Sequence, residues 1–352
     1  MQTLRLFAIL TDDTMTRFIF KTLKVSVLTA LVVSLVITLG IGALTLYSPK
    51  TVITFIERLS TPEPLDPIQI QGVAVLGDSQ SDEYRADDKR GENYSSTTLN
   101  WVEILDKNRN IPFGAWSTYN DSRRTGYAYN WAQSGATTTS MIASGQHIGV
   151  AQQVKKGEVN VVIIYIGAND FAPFVTADGY EAIYNGQLTE ADLIAKRNGI
   201  VANIKTAIDV IQNSGDAKIV LVQIPNWGNN FGVSLAFPNP EQRARVNQEL
   251  AATNAELSAL AALYMIPTLD PNIWYQENIR ENGGKVAIGD TRLERLLITN
   301  DPRNMFLDDG VHPGTAMNAL FANEIIKTLN INFGTGINQL SDEEILKISG
   351  IK

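Results

Sequence analysis

Three short runs constrain the fold before any other feature. Ile70–Leu76, Val159–Ile166 and Lys218–Ile224 are nearly continuous stretches of aliphatic and β-branched residues, ending at Gly77, Gly167 and Pro225. A strand with one wet face alternates apolar and polar side chains. An unbroken run suits a strand covered on both faces, as in a parallel sheet. A weaker fourth run lies near Met265–Leu269. Between the runs, apolar residues recur at helical spacing. Ile200, Ile204, Ala207, Ile208 and Ile211 form one stripe, stopped by Gly215. Val246, Leu250, Leu257, Leu260 and Ala261 form another, and Leu320, Phe321, Ile325 and Leu329 a late one. Strands alternating with helices predict an α/β fold with an open, mostly parallel sheet and helices on both faces. Ligands of such sheets bind beyond the carboxyl ends of the strands.

A different signal precedes this body. Val25–Tyr47 is a run of 23 residues without a charge. As a helix rising about 1.5 Å per residue it would cross a hydrocarbon core of roughly 30 Å. Arg17, Lys21 and Lys24 come just before it, and only Lys50 and Arg58 follow closely. That bias puts the N-terminus in the cytoplasm and the body outside. A cleaved signal peptide is the competing reading, but its apolar core spans ~7–15 residues before a small-residue cleavage site. This run is longer and ends in no clear site, so an uncleaved anchor is expected, with a secreted form only if the segment is cut. Three prolines within Ser60–Pro67 cannot continue a helix and suit an extended tether. The expected organisation is a cytoplasmic segment at 1–24, a transmembrane anchor at 25–47, a tether at 48–67, a catalytic domain at 68–335 and a helical tail at 336–352. Ser341–Glu344 reads as the capping box of that tail.

Composition removes several kinds of chemistry. The chain has no cysteine, so disulfides, thiolate metal sites and cysteine nucleophiles are excluded. It has two histidines, His147 and His312. A multi-histidine metal site is therefore not expected, and histidine-dependent catalysis must use one of these rings. The net charge is −8, yet residues 1–58 carry six basic against three acidic side chains, a net +3, which leaves −11 on the rest. An acidic body without a basic stripe makes no nucleic-acid partner expected.

Unusual polar groups follow the strand runs. The first runs into Gly77-Asp78-Ser79-Gln80-Ser81, the second into Gly167-Ala168-Asn169-Asp170. Asp309-Gly310-Val311-His312-Pro313 precedes the last helix, and Asn130–Thr137 holds Gly135 among small polar residues. Acyl transfer to a serine needs a base within hydrogen-bond reach, a carboxylate that orients the base, and fixed donors at the oxyanion. Ser79 offers a hydroxyl, His312 a base, and Asp309, three residues earlier, a carboxylate from the same turn. The Asn169 amide and the backbone N–H groups of Ser79 and Gly135 offer donors. Each block alone is an ordinary turn; their joint placement at one sheet rim is the informative fact.

That combination resembles the SGNH, or GDSL, hydrolase family of serine esterases and lipases. The four blocks lie between Gly77 and His312, with Gln80 in place of the more usual leucine. The resemblance implies a three-layer α/β/α sandwich with a flavodoxin-like sheet. It implies Ser79 as nucleophile, His312 as base and Asp309 as its orienter, an oxyanion hole of Ser79, Gly135 and Asn169, and neither metal nor organic cofactor. An α/β-hydrolase elbow would need G-x-S-x-G; here Ser81 stands at the fifth position.

The expected activity is hydrolysis of carboxylic esters, with short-chain esters, acylated carbohydrates or lipids as candidate substrates. An O-acyltransferase using the same acyl-enzyme and a non-catalytic, anchored glycan-binding module are the alternatives. His147, without an acid within four residues, reads as a loop histidine. Asp78 and Asp170 read as structural, and Asp87–Arg90 as a solvated loop. Gln80 is expected to tune the entrance. Trp101, Trp116, Tyr119, Tyr127 and Tyr129 are expected to cover the sheet edge, or else to form a sugar-contacting wall near Ser79.

Overall fold

The computed structural model describes residues 67–86, 90–118, 125–280, 284–295 and 299–351. The expected anchor at 25–47, most of the tether and Tyr119 lie outside them. Among the described residues no helix is long and apolar enough to cross a membrane.

The predicted runs form the strands. Strand β1 is Val73–Gly77. A small antiparallel pair, β2 (Trp116–Ser117) and β3 (Gly126–Tyr127), follows. Strand β4 is Val161–Tyr165, β5 is Lys218–Val222 and β6 is Thr268–Leu269. The main sheet has the order β1-β4-β5-β6, all parallel, with Val73 opposite Val161 and Val161 opposite Lys218. One further edge was not expected. Tyr129–Gln133 runs parallel along the free side of β1, where Val75 N–H donates to Tyr129 O at 3.1 Å and Trp131 N–H to Val75 O at 2.9 Å. After β1 the chain thus goes first to one side of the sheet and then to the other. Such a change of direction opens a crevice at the carboxyl ends of the strands.

Helices cover both faces. On one face, Ala74, Leu76, Val162, Ile164, Ile219 and Leu221 pack against α3 (Gln146–Lys155), α5 (Glu190–Gln212) and α7 (Pro240–Leu263). The stripe Ile200, Ile204, Ala207, Ile208 and Ile211 is the buried face of α5. On the other, Val73, Val75, Val161, Ile163, Val220 and Val222 pack against α1 (Trp101–Arg109) and α9 (Thr315–Phe333). Alternate residues of each strand therefore serve opposite layers. Each fully buried aliphatic side chain contributes roughly 1.5–3 kcal/mol, which is why the runs show no polar break.

Short helices fill the connections: α2 (Thr138–Ala143), α4 (Tyr180–Tyr184), α6 (Phe231–Ala236) and α8 (Pro271–Tyr275). The last helix, α10 (Asp342–Ile348), carries the expected capping box between Ser341 and Glu344. Its Ile345 joins the same core as α1 and α9, and Glu344 pairs with Arg109 at 2.8 Å. At the amino ends of the strands, Ile68 N–H donates to Phe333 O at 3.1 Å. The chain thus enters the domain beside the end of α9, away from the rim that follows Gly77.

Candidate active site

Ser79 stands on a tight turn that the sequence builds locally. The Asp78 carbonyl accepts from the N–H groups of Ser81 and Asp82, both at 2.9 Å, and Asp78 Oδ1 accepts from Gln80 N–H at 2.9 Å. Trp101 Nε1–H donates to Ser81 Oγ at 3.2 Å, and Asn130 Nδ2 to Ser81 O at 2.8 Å. Gly77 is required by close approach. A Cβ there would sit 2.9 Å from Tyr165 O and 3.0 Å from Ser81 Cβ. The Ser79 N–H has no hydrogen-bond partner among the described residues, and neither has the Gly135 N–H.

Asn169 lies in a one-turn 3₁₀ segment after β4. Its Nδ2 donates to Ala136 O at 3.0 Å, which ties it to the turn holding Gly135 and leaves one amide hydrogen over. The same two turns are clamped by Asp170, whose carboxylate accepts from Thr138 N–H at 2.9 Å and Thr138 Oγ1–H at 2.8 Å. Gly167 opens the Asn169 turn with φ +113°, and a Cβ would meet Ile224 at 2.8 Å, so only glycine fits.

The Asp309–His312 loop folds around its own carboxylate. Asp309 Oδ1 accepts from the N–H groups of Val311 and His312 at 2.8 and 2.9 Å. Asp309 Oδ2 lies 2.6 Å from His312 Nδ1. Burial pushes the Asp309 carboxyl up. The His312 hydrogen bond and charge and the two backbone N–H groups outweigh that and bring it down to about 2. His312 Nε2 is buried with no partner among the described residues. Tyr84, fully buried, meets the imidazole edge-on at 6.2 Å.

Ser79, Asn169, Asp309 and His312 line one cavity of about 410 Å³ at the carboxyl rim of the sheet. Gly135 does not line it and is held one residue from the Asn169 contact. The rest of the wall is apolar: Ala172, Pro173, Phe174, Val175, Val233 and Phe237 among others. Phe174 is 81% exposed and has φ +63°, and its N–H donates to Glu181 Oε1 at 2.9 Å. A large side chain held in that conformation costs of order 1–3 kcal/mol. Gln80 lines a second cavity beside the first.

Several expectations need correction. Arg90 is not solvated: its Nη1 lies 3.0 Å from Asp309 Oδ2 and 3.1 Å from His312 Nδ1. Asp87–Lys89 lie outside the described residues, and a single guanidinium that reaches the site from another loop leaves no periodic trace. His147 is not in a loop; it occupies the first turn of α3 and is 5% exposed. Nor do the described aromatics between Tyr84 and Trp131 form a wall at Ser79. Trp101 is in the core against Phe113 and Phe321, Trp116 meets Tyr127 edge to face and lies under Arg85, and none of them lines either cavity. The rings at the site come from later loops: Trp227, Phe174 and Phe237.

A profile of the GDSL-like lipase/acylhydrolase family matches residues 73–325, and the chain belongs to that family. Its enzymatic class is therefore that of an esterase or lipase. Comparison with curated proteins gave no match. Among solved structures, it is similar to a GDSL-like lipase from Bacteroides thetaiotaomicron, with 14% identity over 78% of this chain and 95% of that one, TM-score 0.40. A member of the lipolytic G-D-S-L family from Veillonella parvula shares 14% identity over 73% and 96%, TM-score 0.39. An acetyl xylan esterase shares 12% over 73% and 99%, TM-score 0.40.

Proposed function

We propose that the chain is a serine ester hydrolase that works through an acyl-enzyme on Ser79. The observation that supports this most is the cavity shared by Ser79, Asn169, Asp309 and His312, with the imidazole already on its carboxylate. With Nδ1–H held by Asp309, Nε2 carries the lone pair that a general base needs. Ser79 Oγ attacks the ester carbonyl and its proton passes to Nε2. The C–O bond to the alcohol breaks, and the imidazolium returns the proton to the departing alkoxide. Water repeats the cycle and frees the acid. The oxyanion is met by the Ser79 and Gly135 N–H groups and the spare Asn169 hydrogen, donors that exist before substrate arrives. The apolar wall from Ala172 to Phe237 suits the acyl group, which stays on Ser79 after the alcohol leaves.

A fluorophosphonate probe tests this reading. It should label Ser79 and nothing in Ser79→Ala, and that variant should lose at least about a thousandfold in ester turnover. Full turnover in Ser79→Ala would remove Ser79 from the mechanism. The same proposal places the enzyme at a membrane, anchored by Val25–Tyr47 with the catalytic domain outside the cytoplasm. The length of that run and the order of charges around it support this. Release from washed membranes by alkaline carbonate without detergent would refute the anchor.

A further inference from the structure

A second cavity, of about 140 Å³, adjoins the Ser79 cavity and shares Trp227 and Val311 with it. It lies where the loops after β1, β5 and β6 meet α9. Gln80, the residue after the serine, lines it, and so do both chain neighbours of His312, Val311 and Pro313. Its chemistry differs from that of the first cavity. Trp274, Tyr275, Phe306 and Phe321 supply ring surface, and no charged side chain lines it among the described residues.

Among these rings stand amides with capacity to spare. Asn226 Oδ1 accepts from Gly228 N–H at 2.8 Å, and Asn230 Oδ1 from Val233 N–H at 3.2 Å. Neither Nδ2 has a partner among the described residues. Asn318 Nδ2 donates to Pro313 O at 2.8 Å, while its Oδ1 and the whole Gln80 amide are likewise unpartnered. Gln80, Asn230 and Asn318 are each less than 9% exposed. None of these spare amide atoms is sealed from solvent, so each stays open to a ligand in the cavity.

We infer that this cavity is the leaving-group subsite and takes a neutral, polyhydroxylated ring, the sugar of an acylated carbohydrate. The inference rests on the serine-hydrolase reading above. In that mechanism the departing alkoxide receives its proton from His312 in the first cavity, and the ring it belongs to reaches the second past Trp227 and Val311, the walls the two share. Aromatic faces cover the apolar face of a sugar ring, and the spare donors and the acceptor meet its hydroxyls. An uncharged lining selects a neutral sugar over a uronate. The acyl chain needs none of these amides and is served by the first cavity.

The test separates the subsite from the chemistry. Full-length Ser79→Ala protein, with Trp274→Ala added as a second variant, is titrated with methyl 6-O-acetyl-glucoside and followed by calorimetry. Saturable binding is expected, weakened at least tenfold by Trp274→Ala and at least tenfold for the acetylated methyl glucuronoside. In active enzyme, Trp274→Ala should lower kcat/KM for the acetyl glucoside relative to ethyl acetate at least tenfold. No binding in folded Ser79→Ala protein, or an equal loss on both esters, overturns the subsite. Binding without turnover of either ester by the wild-type protein leaves a glycan pocket and overturns its role in ester cleavage.

Discussion

Replacing Asp78 by asparagine should flatten the dependence of stability on pH. Asp78 lies fully buried beside Ser79, and burial pushes its carboxyl from 3.8 up to about 7, with the nearby Asp170 adding to the rise and the Gln80 N–H opposing it. The folded chain therefore holds this proton more tightly than the unfolded chain does. Stability is highest below the unfolded value, falls as pH rises from about 4 to about 7, and then levels off. A displacement of about three pH units at 1.36 kcal/mol each is worth about 4 kcal/mol. Roughly one unit of that window lies below pH 5, so about 3 kcal/mol remains between pH 5 and pH 8. Glu103, pushed up to about 7 mainly by burial, acts in the same direction. His147, lowered by burial, acts oppositely below its ordinary 6.5. Both persist in the variant, so the difference between the two profiles isolates Asp78. Urea unfolding at pH 5, 6, 7 and 8 supplies the profiles. Wild type should lose about 3 kcal/mol more than Asp78→Asn across that range, whatever the variant's absolute stability. Parallel profiles would show that Asp78 is already ionised in the fold, and the reasoning would fail.

Two further substitutions probe the site and its support. Arg90→Ala removes the guanidinium that donates to Asp309 Oδ2 at 3.0 Å, and loss of that positioning contact should lower kcat/KM for ester hydrolysis about tenfold with KM little changed. Arg90→Lys should restore most of it, and an unchanged kcat/KM in the alanine variant would make Arg90 a packing residue only. Gly149→Ala should lower the melting temperature, although alanine in a helix usually gains about 1 kcal/mol over glycine. A Cβ at 149 would stand 2.1 Å from the Trp131 ring, and an unchanged or higher midpoint would show that the indole swings clear.

The sheet was readable because its strands are buried on both faces, and burial of that kind leaves an uninterrupted aliphatic record. The edge formed by Tyr129–Gln133 left no such record. It pairs with β1 through Val75 and Gly77 while its Tyr129 N–H turns to Phe113 O, and its side chains include Asn130, whose amide ties down Ser81. Helix α1 went unread, although its start carries a signal. Asn100 and Glu103 cap each other reciprocally, a pattern visible as N-x-x-E ahead of an apolar run. At the site, the blocks carrying Ser79, Asn169, Asp309 and His312 were legible because turns near a strand end need particular residues. Arg90 and the rings of the second cavity were not. They reach the rim from distant loops, and only the closed fold makes them neighbours.

The bond from Ile68 to Phe333 gives two struts a common foot. One runs up β1 to the serine; the other runs back along α9 to the loop of the imidazole. Like a pair of dividers, they set the spacing of hydroxyl and base from a hinge at the opposite pole.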